Sequence, residues 1–498
     1  MSIKNTNDYD YIIVGAGPVG LTLAQILGVR DGKKILVVDR EKTIGGCHRV
    51  RRVDGFFTEH GPRIYSNAYI NFRQILTDIG GNFYDTFTPY KFTLANIGGQ
   101  SITDMKIFEI LAFGVAYAKL IIYPDYGRDI TLSEWMNNNN FTQLTYDYLD
   151  RVCRLTDGAG AKRYTLFEFI QLLNQHTFYS IFQPKQPTDI GFLKLWEDHL
   201  KSNGKIDFML DTYVTSINPS NINNDIVESI SIENINRGNQ QTITCKKGII
   251  LAIPPEHIID LLNKSNNQKV LNSFGKYDTY NKWVSDTKYL NYIPVIFHWD
   301  KDLNLPLKYG ITKSDWGLIY IVLSDYMKFD NPGSKTVIST SFTIFDKSSK
   351  VNGLNVHQTS DREQLVNEAF RQLKESYPNL PTPTKSILSP GVYRNQDNDK
   401  WMTKDQAFIL TPSGYRQQQQ SQIFKNLYNC GNHNGFHTYE FTSLEGAVTN
   451  AMVLGNKLVD NPDNKYKIDK SYGFVEIIRI LLVLIIIGLI YWIWTNYF

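Results

Sequence analysis

At 498 residues the chain has room for two or three domains, so core size sets no limit on its fold. A net charge of only +3 argues against a nucleic-acid surface, because the basic cluster His48-Arg49 with Arg51-Arg52 is too short to make a field, and no nucleic-acid partner is expected. Four widely separated cysteines, Cys47, Cys153, Cys245 and Cys430, contain no CxxC, which argues against both a zinc site and a disulfide framework and fits a reducing compartment.

Met1–Asp10 is polar, so no signal peptide is expected. Tyr11–Val14 is a short β-branched run that reads as a buried strand, and Gly15-Ala16-Gly17-Pro18-Val19-Gly20 follows it. Leu21–Val29 has helical spacing and Lys34–Val38 is a second apolar strand, which completes one βαβ unit. Gly15 allows the tight turn, Gly17 admits a pyrophosphate beside the backbone, and Gly20 lets helix and strand pack closely. Amides at the helix start, just after Pro18, then face the phosphates where the helix dipole favours negative charge. Asp39 closes the second strand 19 residues after Gly20, where a carboxylate can take the ribose hydroxyls of an adenosine.

Asp39-Arg40 is followed by the pair Gly45-Gly46, by Cys47, by a short hairpin, and by Gly61-Pro62-Arg63-Ile64. This order resembles the flavin-containing amine oxidase superfamily, in which a glycine pair passes the FAD phosphates and a later glycine-bearing loop reaches the isoalloxazine. Cys47 stands where that superfamily usually has arginine, and Arg49 or Arg51 is a candidate to supply the charge. The resemblance places Arg63 nearest the flavin ring; an interdomain ion pair is the alternative for that residue.

Asn71–Ile79 reads as a helix ended by Gly80-Gly81, and the pattern stays mainly helical to about Asn203. Ile107–Tyr123 is strongly apolar but carries Glu109 and Lys119 and ends at Pro124, so a core helix of a substrate-domain cap is expected over a second membrane span, with a substrate tunnel lined by it and opening toward the bilayer as the alternative. Gly191 and the strand Phe208–Ile217 match the superfamily's return to the FAD domain, which implies that Val214 covers the adenine. Cys245–Pro255 is an apolar strand with a proline pair, as in the superfamily's exit from that domain. From about Ser265 to Asp397, the runs Ile293–Trp299, Gly317–Ser324 and Thr336–Ile344 alternate with an amphipathic helix, Asp361–Ser376; a sheet covered by helices follows, expected to floor a substrate pocket. Leu427–Asn432 reads as a strand ending in a glycine turn, and Ser443-Leu444-Glu445-Gly446-Ala447 opens a helix. The superfamily's return segment has this form, which implies that Gly431, Asn432 and amides near Leu444 meet the flavin. His433 and His437 have the spacing of a metal pair on a helix, but Gly435 between them points to exposed loop histidines, and no metal is expected.

Ile480–Trp494 is uninterrupted apolar and reaches 21 residues when extended back to Phe474. That matches the ~20 residues that cross a bilayer, with Arg479 placed to snorkel and Tyr491, Trp492 and Trp494 as an interfacial belt. The lysines precede the span, so a tail anchor with a cytosol-facing body is expected.

The expected fold is α/β: an FAD-binding Rossmann-like domain (1–85, 204–264, 401–460) interleaved with an α+β substrate domain (86–203, 265–400), then a linker (461–473) and a transmembrane helix (474–494). The expected cofactor contacts are Gly15, Gly17, Pro18, Gly20, Asp39, Arg40, Gly46, Arg63, Val214, Gly431, Asn432 and Leu444, with Arg63 as the flavin-facing catalytic candidate and a small molecule as substrate. Within the superfamily, monoamine oxidases attach FAD through a cysteine; none is present in Trp401–Tyr415, which implies non-covalent FAD. Its usual lysine is also missing from Tyr292–Trp299, where Pro294 is the best match, and Ser443 occupies an aromatic-cage position. Gly61-Pro62-Arg63-Ile64-Tyr65 is also similar to the matching loop of UDP-galactopyranose mutases. A membrane-tethered, non-enzymatic flavoprotein is the third reading.

Overall fold

The computed structural model describes residues 9–61, 63–92, 101–158, 160–175, 177–236, 238–286, 288–290, 292–405, 408–410, 416–436 and 442–497. Most of the polar start, together with Pro62 and His437, lies outside the described residues.

Tyr9–Val14 is apolar on both faces and buried along nearly its whole length, which is what the middle of a parallel sheet requires. Ile35–Val38 pairs with it on one side and the second half of Gln240–Leu251 on the other, both parallel. Ile206–Met209 and Leu427–Asn429 extend the two sides in the same direction. Period-2 alternation splits each strand between two cores: Ile13, Val37 and Ile250 face one set of helices, Ile12, Leu36 and Ile249 the other. Gln240–Leu251 serves two neighbourhoods, because its first half pairs antiparallel with Val227–Asn234, which in turn pairs with Thr212–Pro219. The chain is a mixed α/β protein whose opening βαβ unit is built as its sequence reads.

A separate antiparallel sheet runs in the order Tyr309–Ile311, Ile319–Val322, Thr336–Phe342, Ile293–Trp299, Lys385–Leu388. Helix Arg362–Ser376 packs Leu365, Ala369 and Leu373 into the core on one face of it. Asp361 starts that helix by accepting the Gln364 amide at 2.8 Å, so the expected strands and helix are all present.

Two sequence expectations need correction. Ile181–Pro184 and Phe87–Pro89, inside the stretch read as mainly helical, form a small sheet with Tyr65–Ser66 just before it. Strands of two to four residues are too short to show alternation. The second correction concerns Ile107–Ile122, which is helical but is not a core helix: Glu109, Ala116 and Leu120 are buried, whereas Ile107, Leu111, Val115 and Ile122 are exposed.

Phe474–Tyr497 is, among the described residues, one helix long and apolar enough to cross a membrane, and almost none of it is buried. Its polar residues near the start dock it onto the body instead of meeting water. Glu476 accepts from the Asn174 amide group and the Gly473 N–H, both at 2.9 Å, and Asn174 Oδ1 accepts the Val475 N–H at 3.0 Å. Arg479 is held by the body: its guanidinium donates to the carbonyls of Ile121, at 3.0 Å, and of Leu120. Those carbonyls lie in the last turn of Ile107–Ile122, where a cation satisfies both the open acceptors and the helix dipole.

Candidate functional site

The first strand ends in a turn that only glycine can make. Gly15 has φ +112°, and a Cβ on it would lie 2.4 Å from the Ala252 carbonyl oxygen. A Cβ on Gly20 would lie 1.9 Å from the Gly15 carbonyl oxygen, so Gly20 is what lets the helix starting at Pro18 pass behind the turn. Gly46, at φ +55°, lies so close to Gly17 that its Cβ would come within 2.9 Å of the Gly17 Cα. Asp39 ties this assembly together: Oδ2 accepts the Ala16 N–H at 2.7 Å and Oδ1 the Glu41 N–H at 2.9 Å.

These backbones open on a cavity of about 730 Å³, within the usual range for small-molecule sites. Gly15, Gly17, Pro18, Asp39, Arg40, Gly46, Arg63, Val214, Gly431, Asn432 and Leu444 all line it. Gly20 does not, since it acts from behind the turn. The segments that meet here are as much as 433 residues apart, from Val14 to Ala447, and are brought together by the parallel sheet and by helix Leu444–Leu458 against the opening helix. Gly455 in that helix gives Ile26 room to approach.

Charge around Asp39 is locked in a network. Arg49 is buried and donates to Asp405 at 3.1 Å, to Asp39 at 3.4 Å and to the Thr43 carbonyl at 2.8 Å. Arg51 bridges Glu41 at 2.8 Å and Asp405 at 3.0 Å. Of the two arginines offered in place of the one missing at position 47, Arg49 lines the cavity and Arg51 does not, and both are already paired with carboxylates. Asp405 had no sequence signal, because its partners lie about 350 residues away. Arg40 donates to the Lys404 carbonyl at 2.8 Å and lies 3.4 Å from His257 Nε2; burial, helped by that guanidinium, pushes His257 down to about 4 and keeps it neutral.

At the return segment Ser443 caps helix Leu444–Leu458 by accepting the Gly446 N–H at 2.9 Å. Glu445 turns away from the cavity and accepts three N–H bonds from Asn71 and Phe72 at 2.8–2.9 Å, which holds the start of helix Ile70–Asp78. Asn432 donates to the Ser443 carbonyl at 3.3 Å while its Oδ1 is buried without a partner. His433 is a correction: it is 1% exposed, bonded to Asn429 at 2.9 Å, and pushed down to about 3 by burial.

Arg63 is half-buried, donates to the Cys47 carbonyl, and borders both the large cavity and a small chamber of about 10 Å³, room for about one water. Glu59 and Gln183 line that chamber; Glu59 Oε1 and both Gln183 amide atoms are buried without a partner. Burial pushes the Glu59 carboxyl up to about 7, against the pull of the Arg63 charge. Both residues were missed: Glu59 in Thr58-Glu59-His60 has the acid–histidine chemistry that could have drawn attention, and Gln183 carries no sequence signal.

The rest of the cavity wall is of another kind, formed by Val152, Leu155, Tyr164, Leu172, Leu173 and Tyr179 together with Tyr90–Phe92. The five-stranded sheet, expected as its floor, contributes none of the described lining residues. Tyr90 and Phe92 stand between them, with ring centroids 6.2 and 4.7 Å from Tyr309 of the sheet.

The NAD(P)-binding Rossmann-like domain family matches residues 13–79. The opening segment is a Rossmann-type dinucleotide-binding unit. UDP-galactopyranose mutase of Mycoplasma genitalium is 38% identical over 79 residues, which is 14% of this chain and 19% of the mutase. Two solved structures share the fold over most of the length. An oxidoreductase from Methanosarcina mazei has a TM-score of 0.58 at 15% identity, covering 89% of this chain and 99% of its own. A protein provisionally named a protoporphyrinogen oxidase, from an Exiguobacterium, has a TM-score of 0.57 at 14% identity, covering 92% and 99%.

Proposed function

We propose that this chain is an FAD-dependent oxidoreductase of the amine-oxidase type, holding FAD non-covalently and anchored in a membrane by Phe474–Tyr497 with its body in the cytosol. The observation that carries the reading is the convergence on one cavity of glycine turns, an acid at the end of the second strand, and a capped return helix. The donor set fits the group. Gly15, Gly17 and Gly46 would take the pyrophosphate with Pro18 packed beside it, Asp39 a ribose, Val214 the adenine, and Arg63 the flavin. Asn432 Oδ1, buried and open, would take a donor of the ribityl chain or the ring.

Bound there, FAD would supply the redox chemistry by accepting electrons from a substrate C–H or C–N bond. The protein's share is orientation and charge. Amides at the start of Leu444–Leu458 favour negative charge, and Arg63 adds a guanidinium on its own side of the cavity. Apolar residues of the remaining wall exclude water from the reacting bond.

Purified protein is expected to be yellow, and acid precipitation is expected to release the flavin into the supernatant; colourless protein that stays so after reconstitution ends the proposal. The short identity to a UDP-galactopyranose mutase favours one other reading, redox-neutral sugar-nucleotide chemistry on the same flavin. Anaerobic mixing separates the readings: bleaching by an amine supports the oxidase, whereas saturable UDP-sugar binding without bleaching supports the mutase-like one. Flavin that answers neither leaves a tethered, non-enzymatic flavoprotein.

A further inference from the structure

Helix Ile107–Ile122 is built inside out for a protein in water. Ile107, Leu111, Val115 and Ile122, at intervals of four, four and seven, share one face and are 72%, 62%, 55% and 66% exposed. Gly114 and Ala118 lie on the same exposed face and add no polar group. The helix's one carboxylate points the other way. Glu109 is fully buried, and its oxygens accept from the Thr142 N–H at 2.7 Å and hydroxyl at 2.9 Å, the Thr145 hydroxyl at 2.7 Å and the Lys106 N–H at 2.6 Å. A stripe this long and apolar needs a non-aqueous partner.

The place of the stripe says which partner. The last turn of this helix is bonded through Leu120 and Ile121 to Arg479, one residue before the uninterrupted apolar run of the terminal helix begins. The end of one apolar, outward-facing helix therefore adjoins the start of the other's exposed run. Sixteen residues span about 24 Å, short of the ~30 Å hydrocarbon core. Lys106 and Lys119, both exposed, are placed to meet lipid phosphates.

We propose that Ile107–Ile122 is a second membrane contact, which sinks its outward face into the same bilayer leaflet that Phe474–Tyr497 enters, without crossing it. The proposal rests on the membrane reading of the terminal helix given above. Two contacts hold the body at a set angle to the lipid, where a single span would leave it free to rotate. They also hold the apolar cavity wall near the lipid: Leu172 and Leu173 line the cavity, and the next residue, Asn174, binds the start of the terminal helix. An apolar or amphiphilic substrate dissolved in the bilayer fits that arrangement.

The test uses the full chain in phosphatidylcholine–phosphatidylglycerol vesicles, with a nitroxide on Leu111→Cys, Val115→Cys, Leu484→Cys or Ile222→Cys and the unsubstituted chain as blank for the native cysteines. Ile222 is 96% exposed in a loop of the antiparallel hairpin and reports the aqueous side. Unchanged thermal melting by circular dichroism checks folding of each variant. Collision with oxygen is expected to exceed collision with a water-soluble nickel chelate at 111, 115 and 484, and the reverse at 222. Lipid exposure at 484 with water exposure at 111 and 115 overturns this proposal and leaves the anchor standing. Water exposure at all three overturns both, and lipid exposure at 111 and 115 with water exposure at 484 also overturns the proposal, because no terminal anchor then shares the leaflet.

Discussion

The cavity has two unlike walls. Where Gly15, Gly17 and Gly46 line it, recognition is by backbone, and the side chains nearby, such as Asp39 and Arg49, are held by bonds to the protein itself. Where Leu155, Leu172 and Leu173 line it, the surface is set by the shape of side chains carried on helices. The first wall tolerates almost no change, because backbone atoms cannot move aside. The second can be reshaped, and under the proposed function the substrate would be chosen there.

Substitutions should separate the two walls. Gly20→Ala is expected to act most strongly, since its Cβ would meet the Gly15 carbonyl at 1.9 Å. A loss on the order of 4 kcal/mol or more is expected, read as a fall in melting temperature together with absence of bound flavin. Asp405→Ala leaves Arg49 charged and buried with only Asp39 as ionic partner, and about 3 kcal/mol of stability should be lost. Chemical denaturation measures it, and an unchanged midpoint would show the network to be dispensable.

Glu59 gives a pH signature. Its folded carboxyl keeps its proton up to about 7, while the unfolded one ionises near 4.5. Over that interval the folded state binds the extra proton, so stability falls as pH rises, by a total on the order of 3 kcal/mol. Glu445, pushed up to about 7 by burial against three N–H donors, adds a second contribution of the same sign. Buried His257 and His433, pushed down, contribute with the opposite sign in part of this window, so the reading is the difference between variants. Glu59→Gln should make stability fall less, or rise more, from pH 4.5 to 7 than in the unsubstituted chain, and an identical slope would assign the effect elsewhere. Leu173→Ala should be the mildest: flavin content is expected to stay at the unsubstituted level while KM for a bleaching substrate shifts by about threefold to tenfold. Loss of flavin in this variant would erase the distinction between the walls.

Much of the first wall was legible in the chain, and for a specific reason. A turn at φ +112° or a Cα–Cα approach such as Gly17–Gly46 admits glycine and little else, so the requirement is written at the position itself. Uninterrupted burial of a parallel strand likewise leaves a continuous apolar run such as Ile35–Val38. The second wall left no such trace. Leu155 and Leu172 look like any leucine of an amphipathic helix, and only packing decides whether a helix face meets a cavity, a neighbour or lipid. Ile107–Ile122 shows the difficulty: its apolar run is equally consistent with a core helix, and its exposure emerges only once Glu109 is seen turned inward.

The amino-acid order by itself determined the βαβ unit, the positions of its glycines and acid, and the length of the terminal apolar helix, because these depend on local conformation and on side-chain volume at single sites. Tertiary structure decided that Arg49 meets Asp405, that His433 is buried, and that Arg479 closes the end of a helix more than 350 residues earlier in the chain. Each of these is a pairing of charge or polarity across long sequence distance, which the chain acquires only when its sheets and helices bring the partners together.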